Sequence, residues 1–208
     1  MEQETDNKTL EFHEVEVKFR LDASKLDEWK LLVSGLKGQK DFDLKEWIAV
    51  DSDDIYFTRP PSKDMDYEFV RYRFSDDKKQ KRAELTTKCK LSDANNIIRK
   101  EFNLRVDNNS KETVEAFIES LGFKRSFTIT KHVQIYRFED ATLPYYTVID
   151  DKGKRNTFIE IEVNEEKIHK LTKTECWAII EKYEKVLAPL GISAKNRLRK
   201  SLFEMYKP

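Results

Sequence analysis

Two cysteines in 208 residues, Cys89 and Cys176, are too few and too far apart for a disulfide framework, and they read as reduced, buried thiols rather than metal ligands or nucleophiles. No run of about 18 apolar residues occurs, and no basic-then-apolar leader, so no membrane span or secretion signal is visible and a cytoplasmic location is expected. Net charge is also missing: 39 basic and 39 acidic residues cancel. That balance argues against non-specific DNA binding, which needs an excess of cations to displace counterions. There is no low-complexity tract and no solenoid period. With no linker in view, residues 1–208 read as one domain with an ample core, and polar residues 1–8 as a frayed tail.

What the chain has in abundance is charge, 38% of all residues, arranged in alternation. After His13 polar and apolar residues alternate without a slip. Glu14, Glu16, Lys18 and Arg20 therefore share one face of a strand, and Val15, Val17, Phe19 and Leu21 the other. Phe158-Ile159-Glu160-Ile161-Glu162-Val163 repeats the carboxylate pair near the other end. Period-two patterning and β-branched or aromatic content predict strands near 11–21, 45–57, 67–75, 83–91, 98–106, 123–138, 144–151 and 157–164. Apolar stripes at helical spacing predict helices after Ser24 (Leu26, Trp29, Leu32, Val33, Leu36), after Ser110 (Val114, Phe117, Ile118, Leu121) and around Trp177–Leu187. Gly35, Gly122 and Gly191 stand where those helices should stop.

Strand, helix, four strands, helix, three strands and a helix make an α+β chain. If the strands close into a barrel, the apolar faces can pack outward against helices while the charged faces line the interior. So many inward charges are tolerable only when paired with one another, with metal or with a charged ligand, so a hydrated tunnel is expected.

The ordered motifs resemble the CYTH superfamily, the triphosphate tunnel metalloenzymes, which include thiamine triphosphatases, inorganic triphosphatases and class IV (CyaB-type) adenylate cyclases. Glu14-x-Glu16-x-Lys18 resembles the amino-terminal signature, and Asp54-Ile55-Tyr56-Phe57 the second-strand motif. Val70-Arg71-Tyr72-Arg73 resembles the paired-arginine strand, Leu85-Thr86-Thr87-Lys88 the lysine strand and Arg99-Lys100-Glu101-Phe102 the arginine-x-glutamate strand. Asp150 with Glu160 and Glu162 resembles the late carboxylate set, and Arg199–Met205 the closing helix; Leu121-Gly122-Phe123 and Leu190-Gly191-Ile192 look most like the CyaB-type branch.

The resemblance implies an eight-stranded antiparallel tunnel barrel with helices outside, and a small triphosphate-containing molecule as partner of a monomer or homodimer. It implies a metal set of Glu14, Glu16, Asp150, Glu160 and Glu162 and a catalytic set of Lys18, Lys88 and Glu101, the last orienting a cation. Arg71, Arg73, Arg99, Lys131, His132 and Arg199 would bind substrate. Carboxylates without histidine or cysteine favour Mg²⁺ or Mn²⁺. The implied reaction is hydrolysis of a triphosphate, releasing phosphate. A cyclase forming cyclic AMP and pyrophosphate, or a nucleotide- or polyphosphate-binding protein without turnover, are the alternatives.

Two departures bear on that transfer. Where the family places lysine and arginine, this chain reads Thr130-Lys131-His132-Val133-Gln134-Ile135. Taking Ile129, Val133 and Ile135 as the outer face turns Lys131 outward and puts His132 and Gln134 inside, unless a bulge restores Lys131. Cys89 stands where a glycine tends to follow the lysine. Asp53 and Asp54 read as turn residues, and His13 and His169 as surface histidines. Lys90, Arg105 and Arg20 are left open between tunnel rim and surface.

Overall fold

The computed structural model describes residues 13–60, 69–77, 80–90 and 98–208; for residues 13, 89, 90 and 98–100 it describes the backbone alone. Eight strands form β1 (His13–Leu21), β2 (Leu44–Thr58), β3 (Phe69–Asp76), β4 (Lys81–Lys90), β5 (Ile98–Arg105), β6 (Lys124–Phe138), β7 (Ala141–Asp150) and β8 (Arg155–Val163). Five α-helices accompany them: α1 (Leu26–Ser34), α2 (Lys111–Ser120), α3 (Glu165–Ile168), α4 (Lys173–Leu187) and α5 (Leu202–Tyr206). The strands close into an antiparallel barrel in the order β1-β5-β4-β3-β2-β6-β7-β8. All eight predicted strands are present. The predicted tail, residues 1–8, lies outside the described residues.

Alternation builds the outer layer. Val15, Val17 and Phe19 of β1 and Ile159, Ile161 and Val163 of β8 point away from the lumen, against Trp29 and Val33 of α1 and Cys176, Ile180, Tyr183 and Leu187 of α4. Trp29 anchors this layer, its ring 5.1 Å from Tyr136 and 5.0 Å from Tyr145, and truncating so large a buried side chain costs about 3–5 kcal/mol. Cys176 is a free thiol there, and burial pushes its pKa up. Across the barrel, Val114 and Ile118 of α2 cover Ile55, Phe57 and Tyr72.

Caps fix where the helices begin. Ser110 accepts the Thr113 N–H at the start of α2, and Thr172 with Glu175 forms a reciprocal capping box on α4. The first helix departs from expectation at both ends. Asp22, not Ser24, caps a single 3₁₀ turn that leads into α1. Gly35 ends α1 in ordinary right-handed conformation, whereas Gly122, just after α2, has φ of 83°, the left-handed stop that favours glycine, and Gly191, at 79°, ends not α4 itself but the 3₁₀ turn Ala188–Leu190 that follows it.

Among the described residues β1 pairs with β5 over His13–Val15, and farther along β1 the Leu198 N–H donates to the Lys18 carbonyl at 2.7 Å. That bridge leads into α5, whose Leu202 and Phe203 join Tyr56, Phe69, Phe127, Ile129, Tyr146, Val148 and Phe158 in an apolar plug. Phe203 stacks on Phe69 at 4.5 Å and Tyr56 on Phe127 at 4.5 Å. The barrel is thereby blind at the end where β1 and β7 finish.

Candidate active site

A cavity of about 720 Å³ occupies the rest of the lumen. Its walls follow strand parity. Even residues face inward on β1, β2, β4, β7 and β8, and odd residues on β3, β5 and β6, so Glu14, Glu16, Lys18, Arg71, Arg73, Lys88, Glu101, Lys131, Glu160 and Glu162 all line it.

Arg71, Arg73 and Lys131 form a cationic wall on β3 and β6. Asp54, which the sequence reading treated as a turn residue, lies instead in mid-β2 at 0% exposure. It accepts Arg73 Nε at 2.6 Å and Nη2 at 2.9 Å, and Lys131 Nζ lies 3.0 Å from its Oδ2. Burial would raise the Asp54 carboxyl, but Arg73 and Lys131 outweigh it and hold it well below the usual carboxylate range. Lys131 is pulled down to about 8, first by burial and then by Arg73, with Asp54 opposing. Arg71 donates from Nη2 to Thr86 Oγ1 at 2.8 Å, while its buried Nε has no hydrogen-bond acceptor among the described residues.

Across the lumen, β1 and β8 carry the carboxylates. Lys88 Nζ reaches Glu14 at 2.6 Å and Glu101 at 2.6 Å, and Lys18 reaches Glu160 at 2.7 Å and Glu16 at 3.4 Å. The Tyr146 hydroxyl donates to Glu160 at 2.7 Å. Burial would raise Glu101, but Lys88 and Arg71 hold it low. Glu162 goes the other way: burial, then Glu14, Glu16 and Glu160, push it well above the usual range. Among the described residues no three acidic, histidine or cysteine side chains converge around one point as a ready cation site, and Glu14, Glu16 and Glu160 are each paired with a lysine. By chemistry, four crowded carboxyl groups, with Glu162 held protonated by burial and its neighbours until a cation offsets their charge, nonetheless fit a hard dication.

Four expectations need correction. His132 is exposed and meets Asp51 on the outer surface at 2.7 Å, whereas Lys131 is buried in the lumen. The phase inverts because, among the described residues, no helix covers β6 around His132, so its outer face there is polar and Val133 and Ile135 point inward. No bulge is involved, since the β6–β7 register runs unbroken from Ile129 to Arg137. Asp150 ends β7 beyond the plug; its Oδ1 accepts the N–H groups of Lys152 and Lys154, making it a turn former outside the cavity. Arg199 is exposed and precedes α5 instead of lying within it. Asp53, also on β2, accepts from Thr130 at the surface. Of the open cases, Arg105 lines the cavity and Arg20 is exposed outside it. The side chains of Arg99, Lys90, His13 and Cys89 lie outside the described residues, although Arg99 sits opposite Glu14 in register.

Asp54 and Tyr146, which hold Arg73 and Glu160, are among the lumen residues that sequence reasoning missed. A signal existed for Asp54: Ile55 and Phe57 are apolar and claim the outer face, which turns Asp54 and Tyr56 inward.

The fold recurs in solved structures. The PH1819 protein of Pyrococcus horikoshii is 25% identical over 92% of this chain and 97% of its own, with a TM-score of 0.68. A proposed adenylate cyclase of Vibrio parahaemolyticus is 13% identical over 94% and 98%, at 0.65. A chain of the Schizosaccharomyces pombe Mediator head module is 12% identical over 85% and 95%, at 0.61. Identities of 12–13% speak for the fold alone. No curated protein matches the sequence significantly. The family model of the CYTH domain matches residues 13–202, nearly the whole chain, and the protein therefore belongs to the CYTH domain family.

Proposed function

We propose that the tunnel binds a small-molecule triphosphate and hydrolyses it with the help of Mg²⁺ or Mn²⁺. One observation carries this reading: Arg71, Arg73 and Lys131 face Glu14, Glu16, Glu160 and Glu162 across a single blind cavity. A triphosphate carries about four negative charges, more than any one cation can neutralise, so it needs cations and metal together.

In this reading the Arg71 and Arg73 forks hold non-bridging phosphate oxygens bidentately, while Lys18, Lys88 and Lys131 follow as point charges. Arrival of the polyanion draws Lys88 from Glu14 and Lys18 from Glu160, freeing those carboxylates, with Glu16 and Glu162, to hold the metal. A hard dication held there would supply Lewis acidity toward the phosphoryl oxygens. Glu101 keeps Lys88 aimed into the lumen, and Asp54 keeps Arg73 and Lys131 fixed, so catalysis is positioning and charge neutralisation of an in-line displacement.

The cyclase reading rests on the Leu190-Gly191-Ile192 resemblance. The binder reading rested on a missing cation, and it loses that support because Lys131 occupies the lumen. Incubating the purified protein with ATP, thiamine triphosphate or tripolyphosphate, with each metal, tests the proposal. Phosphate release supports it, cyclic AMP with pyrophosphate replaces it by the cyclase, and no turnover of any of them overturns it.

A further inference from the structure

The two lumen arginines of β3 are anchored in opposite ways. Arg73 is gripped at Nε and Nη2 by the Asp54 carboxylate, so its charge already has a counterion. Arg71, two residues away on the same face, has a neutral anchor: its Nη2 donates to the Thr86 hydroxyl at 2.8 Å. The Glu101 carboxylate stands 4.0 Å from that nitrogen and is engaged more closely by Lys88, at 2.6 Å.

Strand register assembles this anchor. Arg71 on β3 lies directly opposite Thr86 on β4, which lies directly opposite Asn103 on β5. Side chains so paired have Cβ atoms about 4.5–5.5 Å apart, close enough to form one hydrogen-bonded row. A threonine hydroxyl has one proton to donate. In Thr86 it goes to Asn103 Oδ1 at 2.7 Å, with Glu84 Oε1 the longer alternative at 3.3 Å. That commitment leaves the oxygen lone pairs to Arg71. Thr86 is only 1% exposed, so water does not compete for them. Its neighbour Thr87 faces the other way and donates to the Phe69 carbonyl at 3.1 Å.

The chemistry of the anchor matters because a carboxylate at Thr86 would hold Arg71 as firmly and quench it, as Asp54 does Arg73. A hydroxyl fixes the guanidinium plane and leaves its charge to a ligand. Donors held in place beforehand lose little freedom and need no reorganisation when a polyanion arrives. Resting on the reading given above, we propose that Thr86 is a positioning residue of the phosphate site: its hydroxyl, braced by Asn103, holds Arg71 oriented and uncompensated for the incoming phosphate.

Calorimetric titration of the full chain with tripolyphosphate, in chelator and again with Mg²⁺, tests this. Thr86→Val keeps the side-chain shape and removes the hydroxyl, and it should weaken binding about tenfold, the scale of one hydrogen bond to a charged group. Thr86→Ser should bind as wild type does, and so should Thr87→Val. In an Arg71→Met background Thr86→Val should bring no further loss, because no guanidinium remains to be positioned. That double variant leaves neither partner with an unmatched polar group, so it stays informative even if Thr86→Val alone folds poorly. Wild-type affinity in Thr86→Val, a loss that Thr86→Ser does not recover, or a loss that persists in Arg71→Met overturns the positioning role and leaves the triphosphate reading standing. No binding of tripolyphosphate by the wild-type chain, with or without Mg²⁺, overturns both.

Discussion

Asp54 on β2 grips the guanidinium of Arg73 with both carboxylate oxygens and shares one of them, Oδ2, with Lys131. The carboxylate is wholly buried, so its removal leaves two cations without a counterion in the lumen. Breaking a buried pair by removing one partner typically costs about 3–5 kcal/mol. Asp54→Asn should accordingly lower the unfolding free energy by about that amount in urea titration. Asp53→Asn, on the exposed face of the same strand, should stay within about 0.5 kcal/mol. Equal small effects would mean that Asp54 is dispensable to the cationic wall.

Lys131 titrates near neutrality, at about 8, because burial and the charges of Arg73 and Arg71 outweigh Asp54. A folded pKa depressed below the unfolded value of about 10.4 means that the unfolded chain binds more protons between those limits, so this lysine's contribution to stability rises with pH from about 8 to 10.4. Triphosphate binding has the opposite sign, since it needs the charged form. Metal-free ATP affinity should fall by up to about tenfold from pH 7.5 to 9. Lys131→Arg should flatten that profile at high affinity, and Lys131→Ala at low affinity. His132→Ala should leave it as in wild type, because His132 lies outside the barrel with Asp51. Dependence lost in His132→Ala but kept in Lys131→Ala would reverse the assignment.

Arg71 differs from Arg73 in having guanidinium capacity to spare: Nη2 donates to Thr86 and the buried Nε has no acceptor among the described residues. Arg71→Ala should weaken triphosphate binding by about 1.5–3 kcal/mol, the scale of hydrogen bonds to charged groups, and weaken monophosphate binding less. Identical tripolyphosphate titrations for wild type and variant would remove Arg71 from the phosphate site.

The strands were legible because alternation is strict wherever a helix covers one face. In β1 and β8 the outer valines and isoleucines meet α1 and α4, and the parity of Glu14, Glu16, Lys18, Glu160 and Glu162 follows from it. β6 shows the limit of that logic. Around His132 its outer face is open to solvent, so Thr128, Thr130 and His132 are polar outside while Val133 and Ile135 are apolar inside. Hydrophobicity there reports the lumen's lining and not the core, and the phase inverts. Asp150 failed for another reason: a carboxylate at a strand end serves turn amides as readily as metal, and only the fold shows the plug between it and Glu160.

Glu14, Glu16, Glu160 and Glu162 crowd one side of the lumen against Lys18 and Lys88, and Glu162 is the group that yields, its pKa pushed well up by burial and the other three. In the metal-free protein it keeps a proton that the unfolded chain gives up above about pH 4.5, so stability should fall as pH rises from there through the raised folded value. Glu162→Gln removes the titration. Its metal-free Tm at pH 7 should exceed wild type by about 2–4 °C, the shift that 1 kcal/mol gives in a chain of this size. The same substitution removes an oxygen donor, so Mg²⁺ or Mn²⁺ should raise the wild-type Tm more than the variant's. Magnesium thus reverses the ranking if Glu162 holds metal, because the repulsion that destabilises the empty site is what binds the cation. A variant with the wild-type Tm in chelator and the wild-type gain with Mg²⁺ would place Glu162 outside the metal set and leave Glu14, Glu16 and Glu160 to hold the ion.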